Sequence, residues 1–227
     1  MLDSAPVSSN PHTPVGSADP YALLKPGLRA LALRGVLRNY RKQVVLLSEG
    51  EAGDSLYVVL QGGVKTYSMD ENGHEITYST IAAGDYFGEM SLDGGPRSAS
   101  VITLEPTLCA VVSGEQVREH LQAEPEFAFE LITQIIRRAR TATETARGMA
   151  LLDVYGRLVA ALEALGGTAD RSGAPVELRG LTHQDIASRV GASREMVSRL
   201  LKDLEKGGYI TQGVKRITLL RKLPARW

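Results

Sequence analysis

The chain has 227 residues, 43% of them apolar, with 26 Lys and Arg against 26 Asp and Glu and a single cysteine. That length holds two small domains, each with its own core, while one thiol, Cys109, excludes a disulfide framework and any four-cysteine iron–sulfur site within one chain. No apolar run reaches the roughly 18 residues of a membrane span, and the four histidines, His12, His74, His120 and His183, have no ligand spacing for a metal or haem.

In chain order, residues 1–20 are rich in Ser and Pro with no basic or apolar leader, which predicts a disordered tail, no signal peptide and a cytoplasmic protein. From about residue 43 to 113, short β-rich runs (VVLL, SLYVVLQG, VKTYSM, HEITYSTI, SASVITL and TLCAVVS) alternate with glycine turns, the pattern of an antiparallel sandwich or barrel. Asp70-Glu71-Asn72-Gly73 is the expected hairpin turn, and Cys109, inside the apolar run LCAVV, the expected small core residue. Residues 86–101, YFGEMSLDGGPRSASV, form a loop that opens a short helix at Gly88 and gathers backbone N–H groups, an arginine and a hydroxyl, a combination that suits a phosphate. Glu89 beside it is an acceptor for a sugar hydroxyl. Taken alone, the same stretch reads equally as a plain surface turn.

Helices follow at about residues 114–122, 125–147 and 151–165. The long second one carries a seam of Leu131, Ile132, Ile135, Ile136, Ala139, Ala142, Ala146 and Met149, partly at the seven-residue spacing of a coiled coil. That face packs either on the β-rich region or on a second copy. A two-fold helix pair is favoured, because a DNA-reading head normally spans two half-sites as a dimer.

The head lies at residues 181–210, LTHQDIASRVGASREMVSRLLKDLEKGGYI, where two amphipathic helices meet at Gly191. Thr182 with Asp185 forms a capping box for the first and Ser193 caps the second. Outward on the second are Arg194, Glu195, Ser198, Arg199 and Lys202. Arginine grips guanine O6 and N7 with two bonds and glutamate accepts from cytosine N4, although Glu195 and Arg199, four apart, also fit an ordinary surface ion pair. Residues 180–227 hold ten Lys and Arg against four acids, a net of +6, so a neutral total hides a basic end on a body of −6, as phosphate binding rewards. Residues 209–220, with Gly213, Lys215 and Arg216 near the tip, read as a hairpin wing. No nucleophile elbow, P-loop or other catalytic constellation is present, so no enzyme is expected. A jelly-roll oxygenase or isomerase joined to such a head would require a metal cluster that four scattered histidines do not provide.

Together, EGEAGDSLYVVLQGGVKTY, FGEMSLDGGPRSASV, ALLDVYGRL and the C-terminal unit resemble the cyclic-AMP receptor protein and FNR superfamily of bacterial transcription regulators, over nearly the whole chain after the tail. The resemblance implies an α+β chain: a disordered tail (residues 1–20), a cyclic-nucleotide-binding β jelly-roll (21–124), a dimerisation helix and hinge (125–150) and a winged helix-turn-helix domain (151–227). It implies that Gly88, Glu89, Arg97 and Ser98 hold the ribose and cyclic phosphate of an effector, with Thr143 on the long helix reaching the base. It implies that Arg194, Glu195 and Arg199 read the bases of a TGTGA-like palindrome in double-stranded DNA, with Thr182, Gln184, Ser193 and Lys202 on phosphates. Two departures stand out. The spacing from Glu89 to Arg97 is one residue shorter than in the commonest cassettes, and Ala142 and Thr143 stand where the receptor has adjacent Thr and Ser. Cyclic AMP is therefore favoured over cyclic di-GMP or no ligand by a narrow margin. The expectation is a cytoplasmic homodimer that activates transcription with RNA polymerase. The loop at residues 166–175 is either a polymerase contact or a plain linker.

Overall fold

The computed structural model describes residues 19–166 and 175–224. The expected tail, up to residue 18, and residues 167–174 of the loop considered for a polymerase contact lie outside them.

A short helix, α1 (Pro26–Ala32), precedes eight strands: β1 (Val36–Tyr40), β2 (Val45–Leu47), β3 (Leu56–Gln61), β4 (Gly63–Met69), β5 (Glu75–Ala82), β6 (Tyr86–Phe87), β7 (Ser100–Thr103) and β8 (Thr107–Val112). They pair antiparallel in two four-stranded sheets, ordered β1-β8-β3-β6 and β2-β7-β4-β5. Successive side chains on a strand point to opposite faces, and β3 and β8 at the centre of the first sheet bury both. Val59 on β3 and Cys109 on β8 join Leu47, Val64, Ile81, Phe87 and Val101 of the sandwich core. Their neighbours Leu56, Val58, Leu60, Ala110 and Val112 instead meet Leu28 and Leu31 of α1, Val117 and Phe127. Double-sided burial explains why these two strands are nearly continuous apolar runs. It also pushes the Cys109 thiol up to about 12, which makes it the inert core residue expected.

The predicted strands are present, and the turn at residues 70–73 closes with the N–H of Gly73 donating to the carbonyl of Asp70. Helix α1, β1 and β6 are additional. Strand β1 leaves Val36 and Leu37 exposed, so no alternation marks it; its pairing with β8 makes it a strand.

Helix α2 (Gly114–Ala123) begins in a capping box between Ser113 and Gln116. Helix α3 (Pro125–Leu151) follows, four residues longer at its end than expected, and α4 (Val154–Gly166) starts three residues later than expected. Asp153 sets that boundary, since its carboxylate accepts the N–H of Gly156 at 2.7 Å. The expected seam on α3 needs one correction. Leu131, with Phe127 one turn before it, is buried against the β-domain, whereas Phe129, Ile132, Ile135 and Ile136 remain 43–69% exposed. The helix thus has two apolar stripes, one on its own domain and one exposed among the described residues.

Beyond α4 come β9 (Val176–Arg179), α5 (His183–Val190), α6 (Arg194–Lys206), β10 (Ile210–Gly213) and β11 (Arg216–Leu219), with the sheet ordered β10-β11-β9. Strand β9 is a further addition to the predicted elements. The expected caps are in place: Thr182 and Asp185 bond reciprocally, and the Ser193 hydroxyl accepts from the N–H of Met196. Gly191 ends α5 at φ 60°, a left-handed conformation that glycine adopts without the Cβ penalty. Leu158, Leu162, Ile186, Ala187, Val197, Leu201 and Leu204 fill the core below.

Leu201 has no exposed surface. Leu201→Ala should therefore remove about 2–5 kcal/mol of the head's stability, read from denaturant unfolding, whereas Arg199→Ala on the exposed face should stay within about 0.5 kcal/mol. Equal effects would contradict this packing.

Candidate functional site

Strand β6 ends at Gly88, whose φ of 89° reverses the chain into a single 3-10 turn, Glu89–Ser91. A Cβ there would lie 2.7 Å from the Ser55 carbonyl oxygen and 3.0 Å from Arg97 Nη1, so space as well as φ requires glycine. The reversal lets Arg97 fold inward until only 6% of its surface is exposed. Its Nη1 donates to the carbonyls of Ser55 (3.0 Å) and Gly88 (2.9 Å) and to Ser91 Oγ (2.6 Å). All three acceptors are neutral, and Nε and Nη2 have no acceptor among the described residues. Burial lowers the proton affinity of this guanidinium, only partly offset by Tyr57, Asp54 and Glu89. A buried cation with unused, fork-shaped donors has the chemistry to accept an oxyanion. The next residue, Ser98, is exposed and its hydroxyl lies 3.3 Å from Met90 Sδ.

Glu89 is buried too, but it has a partner that sequence reasoning missed. Arg138 of α3 donates from Nη1 to Glu89 Oε1 (2.6 Å) and from Nη2 to the carbonyl of Tyr86 (2.7 Å) and to Asp85 Oδ1 (3.3 Å). Its guanidinium also stands 5.1 Å over the Tyr86 ring. Burial pulls the Arg138 pKa down, and the carboxylates of Glu89 and Asp85 more than compensate, leaving it raised. The available signal was the stripe of Phe127, Leu131, Gln134 and Arg138, at helical spacing on the face toward the β-domain; Gln134 likewise reaches Asp85. Gly88, Glu89 and Arg97 are thus brought together with Ser98 at the rim. Thr143 is not: it is exposed, and its hydroxyl donates back to the Ala139 carbonyl at 3.0 Å.

In the C-terminal unit, Arg194, Glu195, Arg199 and Lys202 are exposed on α6 with no side-chain partner among the described residues, so the ion pair considered between Glu195 and Arg199 is not formed. Gln184 is exposed at the start of α5. The Thr182 hydroxyl is occupied, donating to Asp185 Oδ2 at 2.6 Å. Two arginine contacts fix the frame. Arg157 of α4 donates to the carbonyls of Leu152, Val190 and Gly191, joining the hinge to the end of α5, and Arg189 of α5 reaches Thr80 Oγ1 on the edge strand β5 at 3.2 Å. In the wing, Val214 at the tip is 97% exposed and Lys215 takes φ 50°.

Residues 37–124 match the cyclic nucleotide-binding domain, and residues 156–223 match the Crp-like helix-turn-helix domain. Over 186 residues the chain is 33% identical to the cAMP-activated global transcriptional regulator CRP of Haemophilus influenzae, covering 81% of this chain and 83% of that one. The chain belongs to the CRP/FNR family of transcription regulators. Solved structures agree. The c-di-GMP responsive global regulator CLP of Xanthomonas campestris superposes with a TM-score of 0.75 at 25% identity, covering 85% of this chain and 97% of that one. A CRP/FNR family regulator from Thermus thermophilus does so with a TM-score of 0.66 at 26% identity, covering 84% and 95%.

As a member of the CRP/FNR family, this chain is a DNA-binding transcription regulator with a cyclic-nucleotide-binding domain and not an enzyme. Among the described residues, no helix is long and apolar enough to cross a membrane, and no group of three or more His, Cys, Asp or Glu is arranged to hold a metal ion. The Arg138 clasp within this CRP/FNR fold yields a direct test. Arg138→Ala leaves Glu89 buried without its cation and should cost about 1–3 kcal/mol of stability, whereas exposed Arg137→Ala should cost less than about 0.5 kcal/mol. Thermal denaturation of the two variants distinguishes them, and equal midpoints would rule out the clasp.

Proposed function

We propose that this CRP/FNR regulator is a cytoplasmic homodimer that binds a cyclic nucleotide through Gly88, Glu89, Arg97, Ser98 and Thr143, and that bound nucleotide promotes reading of a TGTGA-like palindrome. The observation that carries the reading is Arg97, a buried guanidinium whose Nη1 touches only neutral acceptors while Nε and Nη2 stay open. A phosphate supplies the missing negative charge there. Cyclic AMP is the first candidate, since the Haemophilus influenzae relative is cAMP-activated. Cyclic di-GMP is the second, because the Xanthomonas campestris regulator of similar fold responds to it and because Ala142 removes one hydroxyl from the helix face that would meet adenine.

The free stripe on α3, with Phe129, Ile132 and Ile136, is the surface for the second copy. Two heads then present Arg194, Glu195 and Arg199 to successive major grooves, with Gln184, Ser193 and Lys202 on phosphates. Thr182, its hydroxyl taken by Asp185, would assist through the N-terminus of α5. Activation with RNA polymerase is the expected output. Moving the heads from 1:99 to 99:1 requires about 5.5 kcal/mol of differential ligand affinity. A phosphate clamp present in both states would not supply that difference, so it falls to contacts made only in the active dimer, with Thr143 and its neighbours on α3 the candidates.

Calorimetry with cyclic AMP, cyclic GMP and cyclic di-GMP, followed by DNA binding with and without each, tests the reading. One nucleotide should raise DNA affinity, and Arg97→Gln should weaken that nucleotide roughly 10- to 100-fold, the loss of a charged hydrogen bond. DNA affinity unchanged by all three would instead make this a ligand-independent regulator with a vestigial sensor. Glu195→Ala should lose about 1–3 kcal/mol of discrimination at one base pair of each half-site, measured by competition with single-base operator variants. Uniform weakening across all variants would contradict base reading by Glu195.

A further inference from the structure

His183, the first residue of α5, is half-buried and lies at the centre of a hydrogen-bonded chain that crosses the head. Its Nδ1 is 2.8 Å from Ser198 Oγ on α6, and its Nε2 is 2.9 Å from Gln212 Oε1 on wing strand β10. Gln212 in turn donates from Nε2 to Glu205 Oε2 (3.0 Å) and from its backbone N–H to Glu205 Oε1 (2.8 Å). The directions follow from chemistry. A carboxylate only accepts, so Gln212 turns its amide NH2 toward Glu205 and its carbonyl oxygen toward His183. Nε2 of His183 must therefore carry a hydrogen. In the neutral ring Nδ1 is then the acceptor, and Ser198 spends its hydroxyl hydrogen on it.

Ser198 stands on the polar face of α6 between Glu195 and Arg199, and with its hydrogen turned inward it offers DNA only lone pairs. Phosphate oxygens and the purine N7, guanine O6 and thymine O4 atoms of the major groove are acceptors. Protonation of Nδ1 reverses the bond: the imidazolium donates to Ser198 Oγ, and the Ser198 hydrogen turns outward. The proton comes from solvent and no other bond changes. We propose that His183 sets the hydrogen-bond polarity of Ser198, and that DNA binding takes up one proton at each His183, so that affinity rises as pH falls from 8 to 6. Histidine is the side chain whose charge ordinarily changes in this interval, and the field of the phosphates favours its cation.

The charged groups on the elements packed around it do not compete for the ring. Asp185 on α5 is taken by Thr182, Arg189 on α5 by Thr80 and Glu205 on α6 by Gln212. Arg157 on α4 is taken by backbone carbonyls and Glu75 on β5 by Lys65, and Glu163 on α4 is exposed. Glu195 and Arg199 on α6 have no side-chain partner among the described residues, and Arg216 on β11 lies 3.3 Å from Glu177. The inference rests on α6 being the DNA-reading helix.

The test uses the full chain and a TGTGA palindrome at constant salt, with anisotropy from pH 6 to 8 and calorimetry in buffers of different ionisation enthalpy. The chain is saturated with whichever of cyclic AMP, cyclic GMP and cyclic di-GMP raises DNA affinity, or is used without nucleotide if none does. The wild type should gain affinity with falling pH, approaching about tenfold per pH unit for each head, with net proton uptake. His183→Gln should bind with a flat profile, and Ser198→Ala should lose at least about half of the slope. A flat wild-type profile overturns the proposal, as does a His183→Gln or Ser198→Ala profile as steep as the wild type. Loss of base discrimination with the slope retained would instead remove the base-reading assignment and leave this one standing.

Discussion

The interaction on which the signalling architecture depends is the contact of Arg138 with Glu89. It joins the long helix α3 to the 3-10 turn after β6, two elements 49 residues apart in the chain. With Phe127 and Leu131 beneath it, Arg138 fixes which stripe of α3 faces the β-domain and therefore which stripe remains free. The proposed dimer surface and the proposed ligand cassette are thus linked through one helix rotation. Glu89 is thereby tied to a helix continuous for 27 residues, the element along which the proposed ligand would act on the head.

Charge is used oppositely at two neighbouring arginines. Arg138 is surrounded by carboxylates and held in its charged form, so it is a structural clasp. Arg97, in the loop just before β7, is buried with neutral acceptors and disfavoured as a cation. A buried, unpaired charge costs free energy unless it is compensated. A fold that retains one at the mouth of a glycine turn gives an anionic ligand an advantage it would not have at the surface. The head shows a similar division. Arg157 spends its donors on backbone carbonyls at the hinge and the helix turn, while Arg194 and Arg199 have no side-chain partner among the described residues on the exposed face of α6.

Much of this was legible in the sequence because it depends on local rules. The capping box at Thr182, the Ser193 cap and the glycine at 191 are encoded within a few residues of where they act, and the apolar positions of α5 and α6 repeat at helical period. The departures have a common cause. Strand β1 exposes two of its apolar side chains and β6 is two residues long, so neither carries a period of its own. Leu131 looks like part of a coiled-coil seam because a helix pattern shows that a residue is buried but not by what. Arg138 looks like any surface arginine until Glu89 is brought to it. Asp153 is an exception, a cap visible in the sequence that marks the true start of α4.

By itself, then, the sequence determined most of the elements, the two-part organisation, the exposed polar face of α6 and the gathering of glycine, glutamate and arginine into one short cassette, since each rests on contacts between residues close in the chain. Only the tertiary structure decided which stripe of α3 is free, that Glu89 is already held by Arg138, that Thr143 turns back on its own helix, and that His183 connects Ser198 to the wing. Those outcomes depend on contacts between elements far apart in sequence. Periodicity and capping preferences carry no information about them, because they describe a residue's surroundings along the chain and not across it.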